Sequence, residues 1–178
     1  LMHRAYHAIP SLSTREGLPT NAVFGFTNML FRVLAEESPQ RVAVAFDKGK
    51  ITFRHDTLET YKALRPATPD ELRPQFPLLK EVLQASRIPF FEVEGYEADD
   101  IIGTLVAQAE QQGLQVLILT GDKDTLQLVS PRTRVLITRK GISELELYDE
   151  EKILALYGLA PRLLVDLKGL AGDQSDNI

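Results

Sequence analysis

Short apolar runs alternate with helical patterns along this chain, and that alternation limits the fold more than any other feature. Arg41-Val-Ala-Val-Ala-Phe46, bounded by Pro39 and Asp47, reads as a buried strand. Ile88-Pro-Phe-Phe-Glu-Val93 is a second strand candidate, weakened by Pro89, which has no N–H to give a ladder. Gln115–Thr120 and Arg134–Thr138 are a third and a fourth. Between them the apolar period changes to that of a helix. Asn21–Glu37 places Val23, Phe26, Met29, Leu30, Val33 and Leu34 on one face, and Glu97–Gln112 does the same with Ile101, Leu105, Val106 and Ala109 before Gly113. Asp149–Tyr157 and Pro161–Leu170 read as two further helices. The expected fold class is α/β, with a mostly parallel central sheet flanked by helices in three Rossmann-like layers. Residues 48–74 break the pattern. They have no clean period, carry Pro66, Pro69 and Pro74, and are long for a connection, so a functional and mobile insertion is expected there.

Composition removes several classes of chemistry. At 178 residues the chain suits one domain with a substantial core. It has no cysteine, which excludes disulfide scaffolds, thiolate zinc sites, iron–sulfur clusters and a cysteine nucleophile. That composition suits a reducing compartment. No apolar run reaches the roughly 18–20 residues of a membrane span. The first residue is Leu1 and no closing element follows Asp176-Asn-Ile178, so the chain reads as an excerpt of something longer. P-loop, GxGxxG, GxSxG and HExxH patterns are absent, and His3, His7 and His55 show no convincing metal-ligand spacing.

The formal net charge of −5 hides an asymmetry. From Lys48 to Arg87, eight Lys/Arg meet five Asp/Glu, a net of +3; from Glu92 to Asp124, one Lys meets eight Asp/Glu, a net of −7. The acids sit where strands end. Asp47 follows the first strand, Glu97, Asp99 and Asp100 the second, and Asp122 and Asp124 the third, while Asp173 and Asp176 close the chain. Taken singly, such residues cap helices or sit in turns. Taken together, they face one rim of a parallel sheet, the rim where ligands bind. Eight carboxylates there repel one another unless cations neutralise them. The donors are all hard oxygens, which suit Mg²⁺ or Mn²⁺. Two such ions roughly 4 Å apart make a phosphoryl-transfer site. The basic insertion supplies the complement. Arg54, Lys62 and Arg65 could hold a scissile phosphate, Lys48, Lys50 and Arg73 more distant phosphates, and Tyr61 or Phe53 a stacked base.

Five ordered strings carry a resemblance. They are Phe46-Asp47 with Phe53-Arg-His55, Tyr61-Lys-Ala-Leu-Arg65, Gly95-Tyr-Glu-Ala-Asp-Asp100, Leu119-Thr-Gly-Asp-Lys-Asp124 and Leu170-Ala-Gly-Asp-Gln-Ser-Asp-Asn177. Together they resemble the 5′-nuclease domain family of bacterial DNA polymerase I, grouped with flap endonucleases and bacteriophage 5′ nucleases. The opening Leu1-Met-His-Arg-Ala-Tyr6 resembles the segment after that family's first strand. The resemblance spans essentially the whole chain. It implies a PIN-like fold with a basic helical arch over 48–74 and two or more Mg²⁺ or Mn²⁺ ions. One ion group would correspond to Asp47, Glu97, Asp99 and Asp100, the other to Asp122, Asp124, Asp173 and Asp176. Lys62 and Arg54 match the family's catalytic basic residues at the scissile phosphate. The implied reaction is hydrolysis of DNA phosphodiesters at 5′ ends and flap junctions, in primer removal and repair. The implied setting is a monomer in the bacterial cytoplasm, with DNA as partner and a polymerase domain possible on the same chain. The family pattern also has an Asp-Gly pair ahead of Leu1 and a helix-hairpin-helix after Asn177. The expectation is therefore a domain truncated at both ends, with weak or no structure-specific cleavage by itself.

Two other readings fit parts of the pattern. A PIN-type metal-dependent ribonuclease needs the acids but not the basic insertion. A receiver-like regulatory surface needs one aspartate after a strand, and far fewer acids than are present.

Overall fold

The computed structural model describes residues 1–49, 51–139 and 141–172. The described helices are α1 (Met2–Ala8), α2 (Asn21–Glu37), α3 (Phe53–Thr57), α4 (Gln75–Ala85), α5 (Ala98–Gln111), α6 (Glu150–Tyr157) and α7 (Leu164–Ala171). The strands are β1 (Val44–Ala45), β2 (Phe90–Phe91), β3 (Val116–Thr120), β4 (Thr133–Thr138) and β5 (Leu145–Tyr148). Two compact units result. One comprises Leu1–Val44, Ala67–Phe90 and Thr138–Glu146; the other comprises Ala45–Pro66, Phe91–Ile137 and the chain from Leu147 onward.

The first unit is helical at its centre. The apolar stripe read from the sequence over Asn21–Glu37 is the buried face of α2, with Phe26, Met29, Leu30 and Val33 inside. α2 packs against both α1 and α4. Gly25 lets α1 approach closely, because a Cβ at that position would lie 2.9 Å from both the Ala5 Cβ and the Ile9 Cγ1. Thr20 gives α2 no side-chain cap. The buried Gln75 of α4 does this instead. Its amide oxygen accepts from the Ala22 and Val23 N–H groups at 2.8 and 3.2 Å, and its Nε2 donates to the Asn21 Oδ1 at 2.9 Å. A side chain 53 residues away thus satisfies the helix start.

The second unit carries the apolar cluster that anchors the acids. Val106, Ile118, Leu126, Val129, Val135, Ile137, Tyr148 and Ile153 form one buried core. β3 runs parallel to β4, in register from Val116↔Thr133 to Thr120↔Ile137. α5 lies against β3 and against the 3-10 turn Lys123–Leu128. Asp149 caps α6 through the Lys152 N–H, and Gly158 closes it in the left-handed conformation at φ 67°.

The α/β class read from the sequence holds, and β3–β4 is parallel as expected; among the described residues the strands are divided between two small sheets. The strands form a two-stranded sheet, β1-β2, and a three-stranded sheet, β3-β4-β5. The runs Arg41–Phe46 and Ile88–Val93 pair over two residues each, linked by Val44 N–H to the Pro89 carbonyl at 3.0 Å and Phe46 N–H to the Phe91 carbonyl at 2.9 Å. Pro89 accepts but cannot donate, which limits the ladder. Among the described residues of 48–74, α3 is the one helix, closed by the extended backbone of Leu58, and turns make up much of the rest. A short helix followed by turns is what the described residues of this segment form. Among the described residues no helix is long and apolar enough to cross a membrane.

Candidate active site

The second unit brings six of the predicted acids, Asp47, Glu97, Asp99, Asp100, Asp122 and Asp124, to the start of α5 and the end of β3. α5 begins on a reciprocal cap, in which the Glu97 side chain accepts the N–H of Asp100 and the Asp100 Oδ2 accepts the N–H of Glu97 at 2.9 Å. The Asp47 Oδ1 reaches across from the end of β1 to accept the Ala98 N–H at 2.7 Å. Three carboxylates therefore serve one helix N-terminus, where exposed N–H groups favour negative charge. At the end of β3 the Asp122 Oδ1 accepts the Asp124 N–H at 2.9 Å and starts the 3-10 turn. The capping role and the clustering are the same geometry: the sequence places acids where helices start, and the fold brings those starts together.

Asp99 stands apart from this arrangement. Among the described residues no hydrogen bond reaches its carboxylate. Burial, then the charges of Asp122 and Asp47, push the Asp99 carboxyl up to about 6, and the opposing pull of Lys62 does not offset them. It is a half-buried acid facing like charges, and a cation would relieve that repulsion.

The basic residues already sit on the acids. The Arg54 guanidinium grips Asp100 through two bonds, Nη1 to Oδ2 at 2.8 Å and Nη2 to Oδ1 at 2.7 Å. This bidentate contact holds the Asp100 carboxyl below its ordinary range and Arg54 above its own. The Lys62 Nζ lies 2.7 Å from the Glu97 Oε2, and the Tyr61 hydroxyl lies 3.4 Å from the same oxygen. Burial lowers the Lys62 ammonium, but its bonds to Glu97 and Tyr61 outweigh this and leave it raised. Lys62 adopts φ 55°, a left-handed backbone that a non-glycine residue takes only when its surroundings hold it. Asp124 is paired with Lys168 of α7.

Other candidates fall in different places. Tyr61 is 7% exposed, its ring edge-on to His55 and beneath Lys62, so it offers almost no ring surface for a base. Phe53 is half exposed. Lys48 and Arg65 are exposed in the second unit. Arg73 lies in the first unit, paired with Asp70 at 3.3 Å. Lys50, Asp173 and Asp176 lie outside the described residues. His55 completes a reciprocal cap with Thr52 at the start of α3, which gives it a structural task. Lys168 lies 44 residues from Asp124, with no motif in the sequence to mark it as that acid's partner.

Among the described residues, no three acid or histidine side chains lie close enough as they stand to share one metal ion. The reason is visible in the pairing: Glu97, Asp100 and Asp124 are turned to basic partners, and Asp47 to a backbone N–H. The donor set itself is all oxygen, and the unrelieved charge at Asp99 is what a hard divalent cation would offset.

Comparison with known proteins bears on this geometry. Residues 1–158 match the family described as 5′-3′ exonuclease, N-terminal resolvase-like domain. The chain is similar to DNA polymerase I of Bacillus caldotenax, 56% identical over 176 residues, which is 99% of this chain and 20% of that protein. It therefore spans about a fifth of that relative's length. The fold is similar to that of a bacteriophage T5 protein co-crystallised with metal ions, with a TM-score of 0.73 and 22% identity over 88% of this chain and 61% of the other. It is also similar to the bacteriophage T5 flap endonuclease in a complex with DNA and metal ions, with a TM-score of 0.68 and 23% identity over 87% of this chain and 60% of the other. With the family match covering most of its length, the chain belongs to the 5′-3′ exonuclease N-terminal resolvase-like domain family.

Proposed function

We propose that the second unit hydrolyses DNA phosphodiesters at 5′ ends and flap junctions in the presence of divalent metal ions. The observation that carries this reading is the meeting of Asp99 with Asp47, Glu97 and Asp122 beside the cations Lys62 and Arg54. Family membership and the T5 flap endonuclease likeness support it. Asp47, Glu97, Asp99 and Asp100 would hold one Mg²⁺ or Mn²⁺, and Asp122, Asp124, Asp173 and Asp176 a second. When bound, such ions offset phosphoryl charge and make water more acidic. Everything else falls to the chain's own side chains. Once Glu97 and Asp100 are otherwise neutralised, Lys62 and Arg54 become available to the oxygens of a scissile phosphate, where charge grows in the transition state. Arg54 offers a planar fork and Lys62 a point charge, so the two can take different oxygens. In the net reaction a water oxygen bonds to phosphorus and the P–O3′ bond breaks. The products are a 5′-phosphate and a 3′-hydroxyl, with the proton passing to the leaving O3′.

The polymerase relatives extend the proposal to a covalently linked polymerase domain and to primer removal during DNA synthesis. The test is cleavage of a 5′-flapped duplex with Mn²⁺, with chelator, and with Asp122→Ala. It uses this chain and a version extended at both ends, beside an RNA strand of equal sequence. Metal-dependent cutting near the junction, lost in Asp122→Ala, is the expected result. Two inert proteins would overturn the reading, and cutting confined to RNA would favour the ribonuclease.

A further inference from the structure

A half-exposed aromatic pair lies directly beside these acids and has no task in the chemistry above. Tyr96, the residue before Glu97, is 50% exposed, and Phe53, the residue before Arg54, is 48% exposed. Their ring centroids are 5.6 Å apart with planes inclined at 51°. Backbone contacts fix that pairing. Thr52 and Gly95 form a parallel bridge, and the Phe53 N–H donates to the Gly95 carbonyl at 3.1 Å. Gly95 itself takes φ 80°, a left-handed turn that glycine adopts without strain. Beyond Phe53, the Arg54 guanidinium carbon lies 4.6 Å from the ring centroid while the same group holds Asp100. Phe53 is thus packed against Arg54 as well as Tyr96, while Tyr96 stays half exposed.

Single exposed aromatics are ordinary. Two that touch, strapped by backbone hydrogen bonds and followed in sequence by Arg54 and Glu97, are a built surface. Its chemistry is specific: an aromatic face to stack on, next to a guanidinium that binds phosphate. That combination fits a nucleotide that is not base-paired, because a paired base keeps both faces inside the duplex stack.

We propose that Tyr96, braced by Phe53, stacks on an unpaired nucleobase whose phosphate lies at Arg54. Tyr96 thereby recognises the single-stranded nucleotide presented to the site. The inference rests on the nuclease reading for its choice of ligand, but its test does not require cleavage.

The test is binding of a short single-stranded DNA carrying 2-aminopurine, followed by fluorescence at several salt concentrations with Ca²⁺ present to neutralise Glu97 and Asp100 and release Lys62 and Arg54. Wild type should quench the probe, and Tyr96→Phe should match it. Tyr96→Ala should bind roughly 5- to 150-fold more weakly, the range for losing a base-stacking ring, with the salt dependence unchanged. Tyr96→Leu should behave like Tyr96→Ala, since apolar bulk without a ring face does not stack. Lys62→Ala is the contrast, lowering the slope of log affinity against log salt by about 0.7. Unchanged thermal melts of the Tyr96 variants would show that folding is not the cause. The inference fails if wild type does not quench the probe, or if Tyr96→Ala binds within twofold of wild type. It also fails if Tyr96→Leu retains full affinity. Flap cleavage that survives such a failure would leave the nuclease reading standing; quenching with no cleavage by either this chain or the version extended at both ends would leave stacking and remove the nuclease.

Discussion

Replacing Asp99 with asparagine should stabilise the fold at pH 8 in the presence of chelator, and leave it unchanged below about pH 3.5. The Asp99 carboxyl is pushed from the ordinary 3.8 up to about 6, by burial first and then by the charges of Asp122 and Asp47. The folded chain thus holds this proton more tightly than the unfolded chain. Stability falls as pH rises from about 4 to about 6, and the whole penalty stands above that window. At about 1.36 kcal/mol per pH unit, that gap is worth about 3 kcal/mol. The side chain keeps some access to water, which brings the expected gain to about 1.5–3 kcal/mol. Asparagine has the same shape and carries no charge, so it removes the repulsion without leaving a cavity. Urea denaturation of both proteins from pH 3.5 to pH 8 measures the difference directly. A variant no more stable than wild type at pH 8 would refute the reasoning, and so would a gain that persists undiminished at pH 3.5. The same substitution should abolish flap cleavage, because the strained carboxylate is the one proposed to face the cation.

Three further outcomes follow from named contacts. Lys62→Ala should cost about 1 kcal/mol of stability, as a partly exposed ion pair does, and slow flap cleavage by about 100-fold or more; a rate within threefold of wild type would contradict its role. Arg54→Met removes the bidentate partner that lowers the Asp100 carboxyl. Its cost of about 1–2 kcal/mol should be present at pH 7 and fade as falling pH protonates Asp100, which denaturation at pH 7 and pH 2.5 would resolve. Gly25→Ala should destabilise by about 1–3 kcal/mol, because the new Cβ meets Ala5 and Ile9 at 2.9 Å. At roughly 2–4 °C per kcal/mol, a melt should show the loss, and an unchanged melting temperature would mean that α1 yields freely.

Legibility in the sequence followed how local each cause was. α2 spans the residues that its 3.6-residue apolar period marked, and β3 and β4 fall on the valine- and isoleucine-rich runs. α1, at seven residues, is too short to announce itself, because such a helix depends on what it packs against. α4 carries Pro77 inside it, which hides its period although proline is tolerated near a helix start. β1 and β2 were overestimated, because apolar runs mark burial and only partners with free N–H groups extend a ladder. The nearness of Asp47, Glu97, Asp99, Asp100 and Asp122 follows from their places after strands. Their pairing was not legible: Arg54 meets Asp100 across 46 residues and Lys62 meets Glu97 across 35. No spacing rule connects residues so far apart, and charge counts cannot say which cation meets which acid. Tyr61 shows the same limit, since nothing local distinguishes a stacking tyrosine from one buried against a carboxylate.

The central claim is that the acids of the second unit form a divalent cation site, held by Lys62 and Arg54 when no cation is present. Calorimetric titration with Mn²⁺ tests it most directly. Wild type should bind saturably, and the affinity should weaken by about tenfold or more in Asp99→Asn and Asp122→Ala. Lys62→Ala should bind more tightly, because Glu97 is freed from its ammonium partner. Absence of saturable binding, or equal affinity in wild type, Asp99→Asn and Asp122→Ala, would contradict the claim.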